Sequence, residues 1–269
     1  MKDDHIELVL NDIMEQYGYD FSEYSRASLK RRINRIYLMD KFPSFAEFRH
    51  RVKTDSLYLK RFVEELTVNV TEMFRDPAFY KVIRTSVLPV LATYPLIRIW
   101  HAGCSTGEEV YSMAIMLQEA NLLHKSIIYA TDLNPDVLDS ARRGHFPLSN
   151  MKTYSQNYIE AGGQQDFSFY YSAKYNLAKM NDNLKERMVY ATHNLVSDNS
   201  FNEFQLIFCR NVLIYFDPPL QNKVFNLFDQ SLENLGFLAL GAKETLRFSS
   251  ISKRYSQFGN KEKIWRKTA

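Results

Sequence analysis

The sequence predicts an α/β fold, in which a mostly parallel sheet follows an N-terminal all-α domain and carries a small antiparallel β insertion. Three observations predict it. Residues 1 to 68 place apolar side chains at helical spacing and contain one glycine, Gly18. From Ile97 onward, β-branched and aromatic runs alternate with amphipathic stretches, the rhythm of successive strand and helix units. Between Ser149 and Arg187 that rhythm fails, and tyrosines, Gly162-Gly163 and the alternation Phe167-Ser168-Phe169-Tyr170 replace it. The expected boundaries are a helical domain at 1–68, a linker and helix at 69–95, and a sheet domain at 96–269 with its insertion at about 153–187.

In the first domain, Leu29, Ile33 and Ile36 share one face of a helix running from about Tyr24 to Met39. Arg26, Lys30, Arg31, Arg32 and Arg35 put five cations into ten residues, with no acid between Glu23 and Asp40 to neutralise them. An unneutralised face of that kind suits an acidic partner. Ser44 and Glu47 have capping-box spacing and open one or two further helices to Leu66.

The connector Leu66-Thr-Val-Asn-Val-Thr-Glu-Met-Phe-Arg-Asp-Pro77 leaves the helical pattern through its β-branched run. Asn69, Thr71 and Arg75 are unusually able to hydrogen-bond for a linker, and one laid across the sheet's ligand edge would lend them to a site. Asp76-Pro77 then starts a helix continuing through Phe79, Val82 and Val87.

The chain is organised around Ile97 to Tyr111. A strand ending near Trp100 meets Gly103 and Gly107, and a helix follows with Val110, Met113, Ala114 and Leu117 on one face. Ser105 and Glu108 have the spacing of a capping box for it. A glycine turn between strand and helix lets backbone approach a nucleotide-like ligand. The turn lacks the G-x-G-x-x-G pattern of dinucleotide sites, and Glu108 and Glu109 would repel a phosphate. A cation fits better. S-adenosylmethionine offers a sulfonium and an ammonium beside an adenosine.

Ser126 to Thr131 reads as a second strand ending at Asp132, a partner for ribose hydroxyls; Asn134 caps the next helix, Pro135 begins it and Gly144 closes it. Met188 to Thr192 forms a strand that leads to His193-Asn194-Leu195. The continuous apolar run Phe204 to Cys209 reads as a central parallel strand, and it delivers Arg210 through Asp217 to the sheet's carboxyl edge. Pro218 and Pro219 open another helix, Gly236 to Gly241 a strand, and Tyr255 to Phe258 with Lys263 to Trp265 a terminal hairpin.

The 269 residues contain no membrane-length apolar run and no signal-peptide core at Met1, so a cytoplasmic chain is expected. Cys104 and Cys209 lie near strand ends as free core thiols, without metal-ligand spacing, and His101 reads as a core or strand-edge histidine. A net charge of +3 is too mild for bulk nucleic-acid binding.

Three segments, Leu66 to Arg75, Gly103 to Glu109 (Gly-Cys-Ser-Thr-Gly-Glu-Glu) and Phe208 to Phe216 (Phe-Cys-Arg-Asn-Val-Leu-Ile-Tyr-Phe), together resemble the chemotaxis receptor glutamate methyltransferase (CheR) family. The resemblance spans nearly the whole chain. It implies a class I methyltransferase fold with a Rossmann-like sheet, S-adenosyl-L-methionine as donor with S-adenosyl-L-homocysteine as product, and receptor glutamates as acceptors. By motif it assigns Asn69, Thr71, Arg75, Gly103, Glu109, Asp132, Asn194, Leu195, Asn211 and Val212 to the cofactor. Glu108 shares or exchanges the role of Glu109.

Arg75 and Tyr215 are the expected catalytic pair, Arg75 orienting the acceptor carboxylate and Tyr215 hydrogen-bonding it. Lys30, Arg31, Arg32 and Arg35 would meet an acidic helical receptor, with no metal, no nucleic acid and no membrane insertion, in a monomer whose substrate can itself be membrane-bound. In some members of the family the β insertion docks a receptor C-terminal peptide by strand addition. Two other readings stay open: a methyltransferase for nucleic acid or a small molecule, and a sensor of S-adenosylmethionine without turnover.

Overall fold

The computed structural model describes residues 1–17, 21–22, 24–67, 71–259 and 261–268. The chain forms two compact units, one of Met1–Asn69 with Ile214–Gln221, the other of Val70–Leu213 with Asn222–Ala269. Among its described residues are α1 (Asp3–Tyr17), α2 (Arg26–Met39), α3 (Phe45–Thr54) and α4 (Ser56–Thr67). Leu29, Ile33 and Ile36 of α2 are buried as their spacing predicts, against a core that includes Ile13, Phe48 and Phe62. Ser44 caps α3, its hydroxyl accepting the Glu47 N–H at 3.2 Å. The 214–221 segment joins this unit through an antiparallel bridge between Tyr24 and Phe216 and a bond from the Ser25 N–H to the Tyr215 carbonyl at 2.8 Å.

The second unit begins with α5 (Pro77–Val82), a π-helical turn at Ile83–Val87 and α6 (Leu88–Leu91). There follow β1 (Ile97–Ala102), α7 (Glu108–Glu119), β2 (Ser126–Asp132), α8 (Pro135–Arg143), β3 (His145–Pro147) and α9 (Met151–Glu160). β4 (Tyr171–Lys174), β5 (Leu177–Met180), β6 (Met188–Thr192), β7 (Phe204–Cys209), α10 (Pro218–Ser231), β8 (Leu232–Leu240), β9 (Tyr255–Phe258) and β10 (Ile264–Lys267) complete it.

The main sheet runs β6-β2-β1-β7-β8-β10-β9, parallel from β6 to β8, with β10 antiparallel between β8 and β9. This is the class I methyltransferase arrangement. The chain leaves β1 in one direction and returns on its other side at β7, so the carboxyl ends of β1 and β7 flank a switch point where loops diverge and a crevice opens. All six residues of β7 are buried, as its unbroken apolar run requires.

Two local expectations fail for identifiable reasons. Residues 151–160, expected within an irregular β segment, form α9, whose buried Met151, Tyr154 and Tyr158 keep helical spacing beneath an otherwise polar sequence. Phe167–Tyr170 is a 3-10 turn that buries Phe167 and Tyr170, three residues apart, so its period is 3 rather than 2. The insertion's sheet is therefore β3-β5-β4, antiparallel and short. Glu119 at the end of α7 pins this region, accepting from Tyr158, from Tyr170 at 2.9 Å, from the Gln164 N–H at 3.0 Å and from Arg84 at 2.5 Å.

α7 departs from expectation at both levels. It is buried from Val110 to Leu117 around its circumference rather than on one face. No Ser105–Glu108 capping box forms: Gly107 is the cap residue, left-handed at φ +94°, and Ser105 itself sits at φ +50° with its hydroxyl turned inward.

Candidate active site

The strand order brings seven sequence-predicted positions to one edge of the sheet. Gly103 and Glu109 follow β1, Asp132 ends β2, Asn194 and Leu195 follow β6, and Asn211 and Val212 follow β7. Gly103 adopts φ +77°, and a Cβ there would come within 2.6 Å of Val212 Cγ2, so only glycine lets the loops after β1 and β7 close on each other. The Asp132 carboxylate accepts the N–H groups of Ser105 at 2.9 Å and Asn134 at 3.0 Å, tying the β1 turn to the end of β2. Burial pushes its carboxyl above the usual carboxylate range despite those N–H bonds. Asn194 Oδ1 is taken by the Val196 N–H at 2.9 Å, which leaves its amide NH2 as the group it can offer.

The two adjacent glutamates occupy opposite environments. Glu108 is 5 % exposed and meets Thr106 Oγ1 at 2.6 Å and the Tyr154 hydroxyl at 3.3 Å; burial raises its carboxyl above the ordinary range. Glu109 also suffers burial, yet the His101 hydrogen bond at 3.0 Å and the Arg210 charge at 3.3 Å outweigh it and hold its carboxyl low. Of the two, Glu109 is therefore the one whose surroundings favour the charged form.

The sequence reading gave Arg210 no role of its own, and it took His101 as a core or strand-edge histidine, which its full burial in β1 bears out, but not as a partner of Glu109. The Arg210 side chain is 3 % exposed, lies 4.0 Å over the Phe79 ring and donates to Glu109, to Asp76 Oδ2 at 2.6 Å and to the Arg75 carbonyl at 3.2 Å. His101 stacks on Phe208 at 4.4 Å while bonding Glu109. The available signal was a cation directly after a wholly buried strand, since such a group requires a partner.

Arg75 and Thr71, both half-buried, lie on the connector of this same unit, whereas Asn69 falls outside the described residues. Tyr215 and the α2 cations belong to the helical unit. There the Arg32 guanidinium lies 4.1 Å over the Tyr215 ring and donates to the Leu66 carbonyl, so Arg32 serves the unit's own packing. Contrary to the expected unneutralised face, Lys30 pairs with Asp3 at 2.6 Å and Arg26 with Glu7 at 3.0 Å, acids supplied by α1. Arg31 and Arg35 are exposed, and no acid among the described residues pairs with them.

Family comparison agrees with this architecture. Residues 69–263 match the S-adenosylmethionine-binding domain of CheR methyltransferases, and residues 4–67 match the all-α domain. The chain belongs to the CheR methyltransferase family. A Pseudomonas putida protein that carries the methyltransferase name Cher3 is 44 % identical over 268 residues, covering 99 % of this chain and 97 % of that one. Chemotaxis protein methyltransferases of Listeria innocua and Borreliella burgdorferi are each 30 % identical, covering 87 % and 91 % of this chain and 87 % and 89 % of theirs.

The CheR-family edge fits an adenosyl cation. Asp132 and Glu109 keep acceptor capacity beyond the bonds described, Gly103 clears the backbone approach, and Ser105 Oγ is buried with no hydrogen-bond partner among the described residues. Among the described residues, no helix is long and apolar enough to cross a membrane.

Proposed function

We propose that this CheR-family protein transfers the methyl group of S-adenosylmethionine to glutamate side chains of a chemoreceptor-like signalling protein, forming glutamyl methyl esters. The supporting observation is that the acidic glycine turn and the Arg75 connector converge on one guanidinium, that of Arg210. The donor, when bound, supplies a methyl group made electrophilic by its sulfonium.

Ionised Glu109 would hold the donor's ammonium and Asp132 its ribose, with Asn194, Leu195, Asn211 and Val212 around the adenine. A glutamate acceptor is already ionised at neutral pH, so the site needs no general base. What it must do is align the carboxylate and strip it of water. Arg75 orients that carboxylate through its planar fork. Arg31 and Arg35 attract the acidic stalk that carries it.

Incubation with isotopically labelled donor and an acidic helical receptor fragment, followed by mass spectrometry, tests the reading. The expected product is a base-labile methyl ester on glutamate. Label appearing only in nucleic acid or small molecules, or not transferred at all, overturns it.

A further inference from the structure

The residue that the sequence places as the candidate acceptor ligand sits at the centre of an uncommon turn. Phe74 and Asp76, on either side of Arg75, both adopt left-handed backbone, at φ +53° and +61°. Neither is glycine, and a bulky aromatic at positive φ persists only where its surroundings over-determine it.

Three elements supply that determination. From α7, Ser112 Oγ accepts the Phe74 N–H at 2.9 Å, and from α9 the Asn157 amide donates to the Met73 carbonyl at 3.0 Å. The Phe74 ring is fully buried against Tyr80 and Tyr158, with centroids 5.2 Å from each. Arg210, from the end of β7, bonds both the Arg75 carbonyl and the Asp76 carboxylate, and its other terminal nitrogen reaches Glu109.

We propose that Arg210 is a positioning residue for methyl transfer: one buried guanidinium fastens the Met73–Asp76 turn to the sheet edge and so fixes where Arg75 presents its side chain. This rests on the acceptor role of Arg75 given above. Arginine suits the task because a planar fork serves three acceptors in fixed directions, which the single ammonium of lysine cannot do. The Glu109 contact, the longest of the three at 3.3 Å, links the same clamp to the expected ammonium site.

The test combines amide hydrogen exchange on the protein without ligand, donor-site affinity and turnover. In Arg210→Lys, exchange at Phe74, Arg75 and Asp76 rises about 10-fold or more while the β7 and β1 amides keep their protection. Turnover falls about 10- to 100-fold, and S-adenosylhomocysteine affinity measured by calorimetry changes less than about 3-fold. Asp76→Asn, which alters the more exposed end of the clamp, gives the same pattern in weaker form and covers the case in which Arg210→Lys does not fold.

Introduced into Arg75→Ala, Arg210→Lys costs little further turnover, because its effect runs through Arg75. Unchanged exchange in both variants overturns the clamp, and so do turnover losses that simply add in the Arg75→Ala background. A turn that loosens while Arg75→Ala methylates at the wild-type rate overturns the acceptor role of Arg75 and the catalytic half of the proposal, leaving the clamp as a purely structural device.

Discussion

Two α2 cations, Arg26 and Lys30, and the guanidinium of Arg210 all pair with carboxylates, but under opposite solvent conditions. Lys30 and Asp3 meet at 2.6 Å with side chains 45 % and 78 % exposed, where water screens the attraction and such pairs contribute about 0–1 kcal/mol. Arg210 is 3 % exposed and holds Glu109, itself 17 % exposed, where water competes little, while the Asp76 end of the clamp stays half exposed. An exposed pair exchanges partners readily, so an incoming acid can replace Asp3. A buried one fixes geometry, because leaving either member unpaired is costly. In this chain the surface charges suit recognition, and the buried charges suit alignment.

Breaking the buried side should have the largest effect. Arg75→Ala is expected to lower turnover by about 100- to 1000-fold while S-adenosylhomocysteine affinity moves less than about 3-fold in calorimetry. Equal losses in both quantities would make Arg75 a donor ligand only.

Next comes the close approach at the switch point. Gly103→Ala drives a Cβ to 2.6 Å from Val212 Cγ2 at a φ of +77°, so donor binding should weaken about 10-fold and stability fall by about 1–3 kcal/mol. Calorimetry and denaturant titration check both, and unchanged values would show that the Val212 loop yields freely.

On the exposed side, Arg31→Glu with Arg35→Glu should raise the acceptor KM about 5- to 10-fold at low salt and flatten its ionic-strength dependence, with stability within about 0.5 kcal/mol of wild type. Indifference to both charge and salt would remove α2 from acceptor recognition. Lys30→Ala should shift the same KM less than about 2-fold, since Asp3 already shares that charge.

The adjacent glutamates sharpen the contrast by pH. Glu109 is held below its ordinary value of 4.5, so its contribution to stability is present above that pH and fades as pH falls through the lowered value. Glu108 is raised above 4.5, so the folded state retains its proton and loses stability as pH climbs from 4.5 through the raised value. Glu109→Gln should therefore lower the melting temperature at pH 7 and Glu108→Gln should raise it, by a few degrees each, and both differences should shrink at pH 3. Shifts of the same sign would show that the two carboxyls share one environment.

Much of the fold was legible because its signals are local. β6 and β7 match the expected Met188–Thr192 and Phe204–Cys209, and α8 begins after Asn134, whose side chain accepts the Asp136 N–H, and ends at left-handed Gly144. Ser105 misled because capping-box spacing takes no account of Asp132, which captures the Ser105 N–H from 27 residues away. α9 was hidden because only Met151, Tyr154 and Tyr158 carry its apolar face. The α2 cations seemed unneutralised along the chain because their partners lie on another helix.

The sequence by itself determined the order of the main-sheet strands from β1 to β8, the glycine turn after β1 and the motifs that identify a CheR-family chain. Those features depend on φ preference and hydrophobic period, which neighbouring residues decide among themselves. Tertiary structure alone decided which glutamate is held low and which is pushed up, which α2 cations find acids among the described residues, and what holds the Arg75 carbonyl. Arg210 reaches Glu109 across 101 positions and the Arg75 carbonyl across 135, and a charge finds such partners only after the chain has folded.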